Sequence, residues 1–199
     1  MMKRFCITGG IACGKSEVAQ GLEKRGWKII DTDRIAREVV EPGQPGYKKV
    51  VDAFGRKILN SSGLIDRNLL GQVVFASSEQ RILLNSILHP LIRFQWKTRL
   101  SEHLSRTPGL PAVVVIPLLY ETGGEVEFDS VACVASPAGQ QLARLRSRGL
   151  DEEEAMRRVR SQQALEEKIR RSSVMIWNGG SLELLQAQTD GLARHWQDL

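Results

Sequence analysis

Short apolar runs alternate with amphipathic stretches along most of the chain, and this alternation predicts an α/β protein. Val18, Ala19 and Leu22 recur at helical spacing after the first apolar run, and a helix between two strands makes the strands parallel neighbours with a right-handed crossover. Five strands that alternate with helices form a three-layer α/β domain with a parallel sheet. The runs predicted as strands are 5–8, 27–31, 112–116, 129–134 and 173–177.

One long stretch departs from this alternation. The turn-forming cluster 42–46 is followed by a helical pattern up to about Ser105, with a turn at 61–63 and no parallel strand. Within it, residues 85–104 predict a long helix that is broken or begins at His89-Pro90. We therefore expect a helical insertion between the second and third strands. A last helix, from Ser181 to about Trp196, is expected to cover the sheet.

The loop after the first strand carries the clearest chemical signal. Residues 9–16 match G-x-x-x-x-G-K-[ST], the phosphate-binding P-loop. Gly9 and Gly14 permit a tight turn and a close approach of the backbone to a phosphate, and successive N–H groups then form an anion nest. Lys15 supplies a cation for the β- and γ-phosphates, and the Ser16 hydroxyl can ligate Mg²⁺. The alternative is a glycine-rich turn without a ligand, which would need neither Lys15 nor Ser16.

Carboxylates follow two of the predicted strands. Asp31 and Asp33 stand at the end of the second strand, and ligands in open α/β sheets bind outside the carboxyl ends of strands. Either aspartate could be a general base or a metal ligand; alternatively, Asp33 only caps the helix over 34–40. Pro117 stands directly after the third strand, where an acid would be expected. Glu121 is the nearest carboxylate there and could take part in the site; alternatively, it is only a solvated loop residue.

A basic helical hairpin is predicted over 138–171. Asp151 and Glu154 are spaced as a capping-box variant at the start of its second helix. Most of its charges are expected in solvated ion pairs, but Arg144 and Arg148 are predicted on one helical face, as a lid closing over a triphosphate would need. Its nine basic residues, against six acids, are Arg144, Arg146, Arg148, Arg157, Arg158, Arg160, Lys168, Arg170 and Arg171.

The composition argues against a membrane-spanning protein and makes a nucleic-acid-binding protein the weaker interpretation. The 199 residues are 42% hydrophobic and 26% charged, which is typical of one soluble globular domain with embedded subdomains. No apolar run approaches the ~20 residues of a membrane span. The net charge of +5 could indicate nucleic acid, but with 6% aromatic residues and no basic run interleaved with aromatics this is the weaker interpretation. A P-loop that begins at residue 9 leaves no room for a signal peptide, so a cytoplasmic location is expected.

The three cysteines show no metal-ligand spacing, so reduced thiols are expected. Cys6 and Cys133 fall within predicted buried strands. Cys13 lies inside the anion nest, where N–H groups, a helix N-terminus and Lys15 favour a thiolate. We therefore predict a reactive Cys13 that nucleotide protects; the alternative is a small residue turned away from the phosphates.

Ordered motifs extend over nearly the whole chain. The P-loop is preceded by Thr8, and later motifs include Ile30-Asp31-Thr32-Asp33, Leu88-His89-Pro90 and Asn178-Gly179-Gly180. Further motifs are the stretches 40–43, 63–67, 117–121 and 141–145. Together these motifs resemble those of the dephospho-CoA kinase family. The resemblance implies transfer of the ATP γ-phosphate to the ribose 3′-hydroxyl of dephospho-CoA, the last step of coenzyme A synthesis. ATP, Mg²⁺ and dephospho-CoA are the implied ligands, and a monomer or weak homo-oligomer is expected.

The resemblance also implies an organisation and roles for particular residues. It implies a P-loop NTPase core (1–41, 111–137 and 172–199), a helical CoA-binding insertion (42–110) and a small lid (138–171). Asp33 would be the base that accepts the hydroxyl proton, with Lys15 and Arg144 acting on the phosphates and Ser16 on the metal. The expected nucleotide-binding residues are Gly9, Gly10, Ile11, Ala12, Cys13, Gly14, Lys15, Ser16, Glu17, Arg144, Arg148 and Asn178, the last beside the adenine. The expected acceptor-binding residues are Asp33, Arg67, His89 and Glu121.

The chain departs from the family pattern at three places. Ala12-Cys13 replaces the usual Gly-Ser, Gly149 follows Arg148 directly so that the lid turn is one residue shorter, and Trp177 stands where the family usually has Asp. Two other functions compete with the one implied: another small-molecule P-loop kinase, such as a nucleoside or nucleotide kinase, and a non-catalytic nucleotide switch. A switch would have no use for a basic lid and an acceptor-binding insertion.

Overall fold

The computed structural model describes residues 3–199, and its centre is a single five-stranded sheet within that range. The strands lie in the order β2-β3-β1-β4-β5, and β1 pairs in parallel with β3 and β4, as β4 does with β5. The predicted three-layer α/β fold is confirmed. The expectation that the first two strands are neighbours is wrong, because β3 lies between β1 and β2. The strands are β1 (Phe5–Gly9), β2 (Lys28–Asp31), β3 (Ala112–Val115), β4 (Ser130–Ala135) and β5 (Val174–Trp177).

Helices connect these strands in the predicted order. The Asp151 carboxylate accepts a hydrogen bond from the Glu154 N–H at the start of α7, as its spacing with Glu154 predicts. Ser181 caps the last helix in the same way, through the Leu184 N–H. The helices are α1 (Lys15–Glu23), α2 (Thr32–Glu38), α3 (Pro45–Phe54), α4 (Arg67–Ala76), α5 (Ser78–Arg106), α6 (Ala138–Arg146), α7 (Glu152–Arg160), α8 (Leu165–Arg171) and α9 (Leu182–Gln197), with 3₁₀ turns at Arg56–Ile58 and Glu125–Glu127.

One compact unit contains the residues up to Ile30 together with Leu100–Leu199. An aromatic cluster lies in its main core, where the Phe5 ring stacks on Trp196 at 4.8 Å between centroids and meets Trp27 edge-on at 5.6 Å. The buried Trp196 indole N–H donates to the Ser130 hydroxyl over 2.9 Å, so its one polar atom is satisfied. This core fixes β1 and α1, the two elements that the P-loop connects.

The second compact unit is helical and spans Asp31–Arg99. It has its own apolar core of Val50, Phe54, Ile58, Leu70 and Val74. The predicted division of the chain into core, insertion and lid stays a prediction, because compactness does not assign a role to a segment.

Two predicted helical segments differ from the structure in where their helices begin and end. The predicted break at His89-Pro90 is wrong, because α5 runs unbroken from Ser78 to Arg106 with Pro90 inside it. A proline inside a helix removes one hydrogen bond, at a cost of about 3 kcal/mol; packing of Leu84, Ile87 and Leu88 on the helical core offsets that loss. The predicted lid hairpin consists of three short helices, α6 to α8.

None of the helices within residues 3–199 is long and apolar enough to cross a membrane.

Candidate active site

The P-loop connects β1 to α1, and two of its glycines are required by the local geometry. Gly9 has a φ of 140°, and a Cβ there would lie 2.1 Å from the Val134 carbonyl oxygen of the neighbouring strand. Gly14 caps α1 with a φ of 99°, and a Cβ there would lie 2.1 Å from the Asn178 side-chain nitrogen. Ala12 also has a positive φ, 57°, although it is not glycine. The loop therefore has the left-handed turns that let successive N–H groups converge.

Lys15 lies folded over this loop. Its Nζ donates to the carbonyl oxygens of Gly9 at 3.0 Å and Gly10 at 2.8 Å. Ser16, the next residue of α1, is exposed, as is Glu17. A cation, an exposed hydroxyl and the N-terminus of a nine-residue helix thus meet at one place, which favours a polyanion.

Two of the predicted nucleotide-binding side chains donate hydrogen bonds to carbonyl oxygens of the P-loop. Arg144, on α6, donates through Nη1 to the Ala12 carbonyl oxygen at 3.0 Å and through Nη2 to the Asn178 carbonyl oxygen at 3.3 Å. Asn178, just after β5, donates through Nδ2 to the Cys13 carbonyl oxygen at 2.8 Å. The structure therefore brings Arg144 and Asn178 to the loop; their roles toward ATP stay predictions.

Two further side chains that sequence reasoning missed reach the same loop. The buried Gln141 amide contacts the Cys13 sulfur, and the Gln162 Oε1 accepts a hydrogen bond from the Ile11 N–H over 2.8 Å. Gln141 precedes Arg144 by three residues, so helical spacing could have placed it on the same face of α6. Gln162 lies between α7 and α8, and no local pattern pointed to it.

The structure contradicts the access that a reactive Cys13 would need. Its side chain is fully buried and belongs to the core beneath the loop, as the alternative interpretation held. Cys6 and Cys133 are fully buried too. Burial raises the pKa of the Cys6 thiol well above its ordinary value and that of the Cys133 thiol to about 11.

The expected pairing of Arg144 with Arg148 on one helical face is wrong. Helix α6 ends at Arg146, and Arg148 lies exposed in the following turn, where Gly149 has a φ of 88°. The chain leaves the helix before the second arginine can align with the first.

Glu121, expected near the acceptor, has a structural partner. Its Oε1 lies 2.7 Å from the Nζ of the fully buried Lys168 and accepts a hydrogen bond from the Gln163 N–H at 2.9 Å. The Lys168 ammonium also donates to the Pro117 carbonyl oxygen at 2.9 Å. A buried cation needs such partners, so Glu121 is not simply a solvated loop residue.

The other predicted acceptor-binding residues belong to the helical unit. Asp33 is exposed in the first turn of α2, and the cap of that helix is Asp31, whose carboxylate accepts from the Asp33 N–H at 2.8 Å. The interpretation of Asp33 as the cap is therefore wrong. Arg67 is exposed at the start of α4, and His89 is half-buried on α5, where burial lowers the pKa of its imidazole.

Within the described residues 3–199, no group of three or more His, Cys, Asp or Glu side chains is arranged to hold a metal ion.

Comparison with known proteins assigns the family. The model of the family described as "Dephospho-CoA kinase" matches residues 4–183. The chain belongs to the dephospho-CoA kinase family. It is 42% identical to the dephospho-CoA kinase of Carboxydothermus hydrogenoformans over 193 residues, which cover 96% of this chain and 93% of the relative. It is also 42% identical to that of Bacillus licheniformis over 194 residues, covering 97% and 96%.

Solved structures agree with this assignment. The TT1252 protein of Thermus thermophilus is 32% identical with a TM-score of 0.79, over 96% of this chain and 97% of that one. The dephospho-CoA kinase of Campylobacter jejuni is 28% identical with a TM-score of 0.72, over 100% and 98%. Shikimate kinase from Acinetobacter baumannii, 13% identical with a TM-score of 0.52 over 98% and 93%, is similar in fold alone.

Proposed function

We propose that this chain transfers the γ-phosphate of ATP to the ribose 3′-hydroxyl of dephospho-CoA, giving coenzyme A and ADP. The observation that carries the proposal is membership of the dephospho-CoA kinase family over residues 4–183. The P-loop supports it, because its left-handed turns, Lys15 and the N-terminus of α1 form the cradle that a nucleoside triphosphate requires.

Phosphoryl transfer depends mainly on positioning and on neutralising charge. In the proposed reaction the P-loop N–H groups hold the phosphates, and Lys15 exchanges the Gly9 and Gly10 carbonyl oxygens for phosphate oxygens. Arg144 adds positive charge beside the transferred group while it holds the loop. Closure of the lid around the nucleotide would exclude water, which otherwise competes with the acceptor hydroxyl.

Ser16 is the proposed protein ligand of Mg²⁺. The residues present fit this ion, because Mg²⁺ in such sites is held by one or two protein oxygens and by substrate phosphates, and Ser16 is an exposed hydroxyl next to Lys15. When bound, the ion supplies charge neutralisation to the phosphates.

Asp33 is the proposed base, and Arg67 and His89 are proposed to contact the acceptor. Asp33 follows the carboxyl end of β2 and is more exposed than Asp31, so it is the more accessible of the two aspartates to an acceptor hydroxyl. In the proposed reaction Asp33 orients this hydroxyl and accepts its proton. We also propose that the enzyme acts in the cytoplasm on small molecules, without nucleic acid, as a monomer or weak homo-oligomer.

The test is ADP release, measured with and without dephospho-CoA, for the wild type and for Asp33→Asn. The wild type should release ADP rapidly only with the acceptor. Asp33→Asn should bind ATP normally and lower kcat by roughly 100-fold or more, since general-base help is typically worth 10²–10⁴-fold. Asp31→Asn is the matched control and should keep most of the activity, because asparagine caps a helix as well as aspartate does.

Two results would contradict these assignments. Near wild-type kcat in Asp33→Asn would move the base to Asp31 or Glu121. Faster turnover with a nucleoside or nucleotide than with dephospho-CoA would favour the rival small-molecule kinase.

A further inference from the structure

Ala12 is held in a conformation that an alanine disfavours. Its φ of 57° lies in the left-handed region, where the Cβ crowds the following carbonyl oxygen, and it is the one non-glycine residue with a positive φ in the described part of the chain. Such strain persists only where the surrounding structure fixes it. The contacts around Ala12 therefore show what keeps the P-loop in shape.

Three side chains fix the backbone on both sides of Ala12. Arg144 and Asn178 hold the carbonyl oxygens of Ala12 and Cys13, at 3.0 Å and 2.8 Å. On the preceding side, the Gln162 Oε1 accepts the Ile11 N–H at 2.8 Å. Of these three, only Gln162 comes from the loop between α7 and α8.

That loop is anchored independently of the P-loop. The N–H of Gln163 donates to the Glu121 carboxylate at 2.9 Å, and the same oxygen pairs with the buried Lys168 ammonium at 2.7 Å. Lys168 donates in turn to the Pro117 carbonyl oxygen, just after β3. The residue next to Gln162 is thus tied to the segment that follows β3, which limits where the Gln162 amide can reach.

We propose that Gln162 is a positioning residue of the nucleotide site: by holding the Ile11 N–H, it maintains the left-handed turn at Ala12 and so the direction of the N–H groups that meet the phosphates. A neutral amide suits this place, because a carboxylate would repel the phosphates. The inference deepens the proposed function, since it concerns the site that would bind ATP.

The first test is titration of ATP, without acceptor, into the wild type, Gln162→Ala and the matched control Gln163→Ala. Gln163 contributes a backbone N–H to the anchor, which alanine retains. Gln162→Ala should weaken ATP binding roughly three- to tenfold, the usual worth of one neutral hydrogen bond, and Gln163→Ala should not. In turnover, KM for ATP should rise while KM for dephospho-CoA and kcat stay near the wild-type values. Equal ATP affinity in the wild type and Gln162→Ala would overturn the proposal.

A double-mutant cycle with Ala12→Gly tests the physical cause. Glycine adopts the left-handed region without the Cβ clash, so the turn then depends less on Gln162. In the Ala12→Gly background, Gln162→Ala should weaken ATP binding distinctly less than in the wild type. Equal losses in both backgrounds would show that Gln162 acts independently of the turn and would overturn the proposal.

The titration measures ATP binding alone, so its result does not depend on whether the proposed reaction takes place. If the wild type bound ATP but did not phosphorylate dephospho-CoA, the proposed function would fail. The effect of Gln162 on nucleotide affinity would still be measured in the same experiment.

Discussion

At the scale of single residues, the side chains around the P-loop fix the conformation of its backbone by hydrogen bonds. Arg144 donates hydrogen bonds through Nη1 to the Ala12 carbonyl oxygen and through Nη2 to the Asn178 carbonyl oxygen. Its Nη2 also donates to the Gln140 side chain at 3.0 Å. Guanidinium has five N–H donors, so one arginine can hold the loop and still offer a donor to a phosphate. Truncating Arg144 would therefore disturb the P-loop itself, and a loss of activity in such a variant would not by itself identify a phosphate contact.

The cysteines give a residue-scale prediction. The thiols of Cys6, Cys13 and Cys133 are all fully buried, and a thiol must reach the reagent as a thiolate to be alkylated. Native protein treated with iodoacetamide near neutral pH should remain almost unlabelled at all three positions, with or without ATP, by mass mapping. The same protein in denaturant should label at all three, which serves as the control. Selective, ATP-suppressed labelling of Cys13 in the native protein would restore the original expectation of a reactive thiol.

At the scale of elements, local pattern predicts an element well where burial decides its structure, and poorly where a distant contact does. The central strands β1, β3 and β4 are apolar because both of their faces are buried, so their runs could be found from the sequence. The break at Pro90 could not be excluded, because the packing of Leu84, Ile87 and Leu88 that holds α5 together is tertiary. The loop between α7 and α8 contains neither glycine nor proline, so no local signal in the sequence separates these two helices within the predicted hairpin.

Helix α5 carries the prediction on pH. Burial lowers the pKa of His89 below its ordinary value of 6.5, so the unfolded chain binds this proton more tightly than the folded one. The contribution of neutral His89 to stability is therefore present above about pH 6.5 and is lost as the pH falls below that value. Urea midpoints measured on both sides of this pH should drop more on acidification for the wild type than for His89→Gln.

His195→Gln provides the matched control for that measurement. His195 is exposed on α9, and its replacement should leave the pH dependence of the midpoint as in the wild type. A His89→Gln variant with the wild-type pH dependence would contradict the assigned cause.

At the scale of the whole molecule, the sequence was enough for the fold and for the chemical groups at the site, but not for what holds them in place. The P-loop, Lys15 and Ser16 form a contiguous motif, and each position has a local reason. Gln162 reaches Ile11 from 151 residues away, a contact that only the fold creates. The predicted metal, base and acceptor contacts stay predictions, because they depend on ligands as much as on the chain.

The pair of Lys168 and Glu121 tests how far the stability of the molecule depends on the attachment of α8 to the segment that follows β3. Lys168 is fully buried, and its ammonium has the Glu121 carboxylate and the Pro117 carbonyl oxygen as partners. Lys168→Met would leave Glu121, whose side chain is 21% exposed, without its cation, and removing one partner of a buried pair typically costs about 3–5 kcal/mol. The partial exposure of Glu121 places the expected loss of unfolding free energy near the lower end of that range, measured by denaturant unfolding.

Two further variants isolate the cause of that loss. Lys168→Met combined with Glu121→Gln removes both charges and should recover much of the stability, because a buried ion pair replaced as a whole is often neutral. Lys48→Met breaks the exposed pair with Asp52 at 2.8 Å on α3 and should leave the unfolding midpoint unchanged, since exposed pairs contribute little. An equally unstable double variant would show that the shape of Lys168, and not its charge, holds α8 to the segment that follows β3.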